Sequence, residues 1–181
     1  LVRMARAGGR EQVPKILAEL QAALKVASDN DLDEAIAQVE NALGITDWER
    51  RQPAAALPHF ENALARFESL DDLPNIARMH NAIGRTLRSL GSNEPARLQL
   101  MAGLAAAREA EEPLVEGHAL AVLGDIELDC NNLAQAEVHY RDSLAIRKMI
   151  GDRRREGWMN PALADVALRR GAGAEPYLAK A

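Results

Sequence analysis

Small and apolar residues return along this chain in one fixed frame. Leu43-Gly44, Ile83-Gly84, Leu123-Gly124 and Leu163-Ala164 fall 40 residues apart. Ala56, Ala96, Ala136 and Pro176 follow them at one offset, then Phe60, Leu100, Tyr140 and Lys180, then Leu64, Leu104 and Leu144. Inside each period the positions have helical spacing: Ala37, Glu40, Leu43, Gly44 and Asp47 on one segment, Ala77, His80, Ile83, Gly84 and Leu87 on the next. Capping and first-turn residues interrupt the segments. Gln52-Pro53, Ser92-Asn93-Glu94-Pro95 and Asn131-Asn132 separate the members of a pair, and Leu73-Pro74, Pro113 and Gly151-Asp152 separate the pairs. The pattern predicts an all-α array spanning residues 1–181. It has helix–turn–helix repeats over 33–72, 73–112 and 113–152, an irregular partial repeat over 153–181, and the second helix of an earlier repeat over 11–28.

Two features of the pattern have structural consequences. A glycine inside a helix costs about 1 kcal/mol relative to alanine, so Gly44, Gly84 and Gly124 imply close approach of a second helix. Ala56, Ala96 and Ala136 are the expected small residues opposite them. Pro58 and Pro161 fall inside predicted helices, where each is expected to kink or shorten its helix.

The spacing of Leu123-Gly124, Ala136 and Tyr140 resembles the tetratricopeptide consensus. The standard unit has about 34 residues. The six or so extra residues here are expected between the second helix of a pair and the next first helix. Longer repeats of this kind resemble those of large bacterial signal-transduction ATPases and maltose-regulator-like transcriptional activators, and kinesin light chains and the Leu-Gly-Asn polarity proteins are similar in period. Asp142-Ser143-Leu144-Ala145-Ile146-Arg147, closing in Gly151-Asp152-Arg153-Arg154, is most similar to the bacterial regulators. The consensus tryptophan is replaced by Glu40, His80, Leu120 and Asn160. The resemblance implies a right-handed α-solenoid whose first helices line a concave groove. It also implies a protein-interaction scaffold, part of a larger bacterial regulator. Self-association and an effector-binding sensor role are the alternatives.

Composition narrows the choice. Hydrophobic residues make up 48% of the chain and aromatics only 3%, so alanine and leucine dominate and helix is favoured over strand. A net charge of -5 argues against a nucleic-acid surface. No apolar run approaches a membrane span. The single cysteine, Cys130, reads as a small buried filler in a cytoplasmic chain. The sequence starts at Leu1-Val2 and stops mid-pattern at Lys180-Ala181, as a piece of a larger protein is expected to.

Helical phase then selects the groove positions. These are Asn41 and Trp48 in the first repeat, Arg78, Asn81, Arg85 and Arg88 in the second, His118 and Asp125 in the third, and Asp165 in the fourth. Three arginines with amides beside them suit an acidic segment or a free carboxylate, through charge-assisted bonds. The competing reading is a solvated face paired with the acid-rich first repeat. Trp48 suits an apolar anchor or core filler equally, and Trp158 suits the core. Asp125, Asp129 and Asp165 read as an acidic face for a basic stretch of partner, and Arg153-Arg154-Arg155 as a cluster on the convex edge. His59, His80, His118 and His139 lack metal-ligand spacing. There is no Gly-rich phosphate loop, H-E-x-x-H or G-x-S-x-G. No catalytic residue, metal or cofactor is expected.

Overall fold

The protein is described by a computed structural model covering residues 13–171, 173 and 177. Within these residues there are eight helices and no strand. They are α1 (Val13–Asp29), α2 (Asp33–Glu49), α3 (Pro53–Ser69), α4 (Leu73–Ser89), α5 (Asn93–Glu109), α6 (Pro113–Asp129), α7 (Leu133–Met149) and α8 (Arg153–Arg169). Each has 17 residues. Each packs on its sequence neighbours, and α4 also touches α6. The result is an all-α solenoid whose stability is a sum of local interfaces.

Every turn has one design. Its middle residue lies in the left-handed region: Asp31, Arg51, Asp71, Gly91, Glu111, Asn131, Gly151 and Gly171, all at φ between 52 and 79°. At the first seven of these turns the next amide then reaches back to a carbonyl in the last helical turn, as in Ser92 N–H to Leu87 O (2.9 Å) and Glu112 N–H to Ala107 O (2.8 Å). This is the Schellman arrangement, which satisfies carbonyls left over at a helix end. Because all the linkers are equally short, the six extra residues are not a spacer between pairs. They lengthen the helices, a correction to the sequence-based placement.

Three further expectations change. Pro58 and Pro161 sit inside α3 and α8, yet neither shortens its helix. The register glycines meet the large residue of the second helix first, and at Gly84 the Ala96 carbonyl follows at 3.1 Å from an added Cβ. A Cβ on Gly44 or Gly124 would come within 2.6 Å of the Phe60 or Tyr140 ring, and one on Gly84 within 2.6 Å of Leu100. Ala56, Ala96 and Ala136 are nonetheless fully buried. Cys130 is exposed at the C-terminal end of α6, not buried. Pro176 and Lys180 lie outside the described residues.

The core runs as successive clusters between helix pairs. Phe60, Phe67, Met79 and Ile83 join α3 to α4, and Leu100, Leu123 and Ile126 join α5 to α6. Tyr140, Met159, Leu163 and Val166 join α7 to α8. Full burial of such a side chain contributes about 1.5–3 kcal/mol. The first helices α2, α4, α6 and α8 therefore have fixed relative positions, and their remaining faces form one side of the array.

Candidate binding groove

The first helices α2, α4 and α6, with Pro53 and Phe60 of α3, line an open cavity of about 850 Å³. Ile45, Phe60, Met79 and Val115 supply apolar wall. Six of the nine residues selected by helical phase line it: Asn41, Trp48, Arg78, Asn81, Arg85 and His118. Trp48 is half-buried and packs on the core around Phe60 while also lining the cavity. The Arg85 guanidinium lies over the Trp48 ring, 5.1 Å from its centre. Such stacking fixes the plane of the guanidinium and leaves its N–H edge available.

Residues 33–109 match the tetratricopeptide repeat family, and α6 to α8 continue the helix length and spacing of that stretch. The fold is an all-α solenoid of the tetratricopeptide-like kind. No curated protein matches it. Among solved structures, BtubC (BKLC) from P. vanneervenii superposes with a TM-score of 0.75, covering 99% of this chain and 83% of that one. At 13% identity the likeness concerns the fold alone.

The charges of the repeat array are arranged differently from the expected trio of free arginines. Arg78 donates to Glu112 (2.9 Å) and Asn75 (3.0 Å). Arg88 is held by Asp125 (3.1 Å) and Asp129 (2.8 Å). The acids that neutralise them belong to the third repeat and its leading turn, not to the acid-rich first. Arg85 differs: among the described residues no carboxylate lies within ion-pair distance of it. One face of Arg85 is open to solvent, while the groove walls around it and the charge of Arg155 lower its pKa.

Asn81 is not a groove-surface amide. It is 6% exposed, and its Nδ2 donates to Val115 O at 2.9 Å, tying α4 to α6. Its Oδ1 has no partner and sits where a Cβ on Gly103 would come within 2.7 Å. His118 also has a buried ring nitrogen, Nε2, without a partner. Burial first, then Arg155, Arg147 and Arg85, depress its pKa to about 4 against the opposing pull of Asp152. Asp125 accepts from the Tyr140 hydroxyl at 2.8 Å. Burial raises its pKa, and the Tyr140 bond and Arg88 only partly offset that. Asp165 is paired within its own helix with Arg169 at 3.0 Å and does not line the cavity.

Two further residues depart from their expected places. Trp158 is 61% exposed, with Arg154 5.9 Å from its ring centre, so it is no core filler. Arg155 belongs to the groove's electrostatics through His118 and Arg85, rather than to a convex cluster. Arg147 was missed. It is buried, donating to Gly117 O (3.1 Å) and Ser143 Oγ (3.0 Å). The available signal was its register, since Phe67 and Ala107 occupy the same place in core clusters. No group of three or more metal-ligating side chains occurs among the described residues. No described helix is long and apolar enough to cross a membrane.

Proposed function

We propose that this array is a protein-interaction module whose concave groove takes a segment of a partner protein. Tetratricopeptide arrays as a class serve protein–protein interaction and are typically non-catalytic. The observation that carries the groove reading is the roughly 850 Å³ cavity, in which an aromatic residue, apolar wall and a cation with no carboxylate partner among the described residues face one space. Binding sites combine these elements: apolar area for affinity and a few polar groups for orientation. A buried Asn81 joins two of the helices around it through its bond to the Val115 carbonyl.

An acidic or carboxylate-bearing segment suits the cavity, and a regulatory assembly is the setting that the sequence resemblance favours. Nothing in the groove resembles a nucleophile with a base. Surface substitutions distinguish this reading from binding on the other face. Ile45→Asp is expected to abolish capture of a partner segment, with the array still folded by circular dichroism. Leu98→Asp and Met101→Asp, on the exposed face of second helix α5, are expected to leave capture unchanged. The opposite result would move the working surface to the second helices.

A further inference from the structure

Helix α5 is apolar on two opposite faces. Ala96, Leu100, Gly103 and Ala107 are buried in the array, while Pro95, Leu98, Met101, Ala102 and Ala105 stand exposed on the outer side. Leu98 is 68% exposed and Met101 56%. A helix that is apolar all round belongs in an interior. The second helices on either side continue the outer face: Pro58 on α3 and Val138 on α7 hold the register position of Leu98, and both are exposed. We propose that this outer face is a homodimer interface, on which a second copy of the chain packs about a two-fold axis running along α5.

The flanking charges select that occupant. A two-fold along α5 sets α3 of one copy against α7 of the other with the two helices parallel, so equal register positions meet. The pairs are then Pro58 with Val138, Glu61 with Arg141, Ala65 with Ala145 and Glu68 with Lys148. Every one of these residues is exposed. Apolar meets apolar, acid meets base, and the symmetry makes each contact twice. Within one copy, Glu61, Glu68 and Lys148 form no ion pair among the described residues, and Arg141, paired with Glu137 at 2.7 Å, keeps a side chain 60% exposed. Glu94 and Arg108 meet their own copies in this arrangement, but Arg97 and Glu116 already neutralise them. The antiparallel alternative about Met101 would pair Glu94 with Arg108 and would set Glu61 on Glu61 and Arg141 on Arg141. Ala102 and Ala105 leave room for the two α5 helices to approach closely. Helices of 17 residues are about 25 Å long, and three of them about 10 Å apart or more make a face on the scale of the roughly 800 Å² per partner that a specific interface buries. The groove lies on the other side of each copy, so the dimer presents two binding surfaces at once.

Sedimentation of the full chain from micromolar to millimolar concentration, at low ionic strength, is expected to show a monomer–dimer equilibrium. Leu98→Asp and Met101→Asp should each leave a monomer that is still folded by circular dichroism. Glu61→Arg and Arg141→Glu should each weaken dimerisation about tenfold, since one reversal acts at two symmetric contacts. Mixing those two variants should restore dimers, because every reversed charge then meets an opposite one across the two-fold. A parent chain that stays monomeric throughout overturns the proposal. So does a dimer that survives both Leu98→Asp and Met101→Asp, or one that loses nothing to either charge reversal. Variants that are each weakened but not rescued by mixing overturn the parallel two-fold.

Discussion

A buried polar atom in this array is satisfied or orphaned according to what one register position supplies. His59 Nδ1 meets Glu40 at 2.6 Å, and Asn62 adds a bond to the same carboxylate at 3.3 Å. One repeat later His80 pairs with Gln99 at 2.7 Å. Two repeats after Glu40 the position is Leu120, and His139, the counterpart of His59, has a buried Nδ1 with no partner. Removing His59 takes the closer of two partners from a buried carboxylate, whereas removing His139 strands nothing. His59→Leu is expected to cost about 1–3 kcal/mol. His139→Leu should be neutral or stabilising, since burial already lowers the histidine's pKa. Urea unfolding of both variants checks the contrast, and equal losses would refute it. The register glycines follow the same logic. Gly84→Leu and Gly124→Leu should each cost at least about 1–3 kcal/mol through overpacking against Leu100 and Tyr140. Gly91→Leu meets no atom within 4 Å and loses only what its φ of +79° imposes.

At the scale of the helix and its turn, backbone conformation rather than side-chain caps sets the boundaries. Among the described cap residues, only Asp72 and Asp152 accept a backbone N–H, at the starts of α4 and α8. The left-handed residue at each turn does the rest, and at five turns it is not glycine. Such a residue carries about 1–2 kcal/mol of strain, relieved by glycine at the cost of a more flexible unfolded chain. Glu111→Gly and Arg51→Gly are therefore expected to raise stability by up to about 1 kcal/mol, and Gly151→Ala to lower it by a similar amount. Differential scanning calorimetry of the three variants should give melting shifts of opposite sign. These elements were legible in the sequence because repetition presents each position several times: Leu43, Ile83 and Leu123 agree where one of them alone would be ambiguous. The length of the helices was not, since glutamate, arginine and asparagine at the turns are weak signals for a left-handed residue.

For the whole molecule, contacts between repeats decided what the sequence could not reveal. Helical phase put Asn41, Trp48, Arg78, Arg85 and His118 on one cavity. Aligning repeats by register does not show which columns meet when first helices stack. The meeting columns are offset by one helical turn: Trp48 faces Arg85 and, one repeat on, Arg88 faces Asp125. Leu128 holds the next such place, so Asp165 turns to Arg169 instead. That offset converts two expected ligand contacts into an internal ion pair and leaves Arg51 and Arg85 as cavity-lining cations with no ion pair among the described residues.

The same stacking makes stability depend on pH through His118. Its folded pKa, about 4, lies below the ordinary value of 6.5, so folding favours the neutral ring. This contribution is fully present above pH 6.5 and is lost progressively as pH falls towards 4. Asp125 works in the other sense. Its raised pKa means that the folded state favours the protonated acid, so its contribution is present below the ordinary 3.8 and is lost as pH rises through the folded value. His139 shares the direction of His118 and therefore has to be held constant in the comparison. The clean measurement is the difference between the parent and His118→Gln, which keeps a polar side chain but cannot titrate. Unfolding midpoints of the two proteins are expected to diverge between pH 6.5 and 4, with the parent falling more steeply as acid is added. Arg155→Gln should shrink that divergence, because Arg155 is the largest charge acting on the ring after burial. Parallel pH profiles for parent and His118→Gln would show that the imidazole is not held neutral by its neighbours, and that the cluster of Arg85, Arg147 and Arg155 does not act on it.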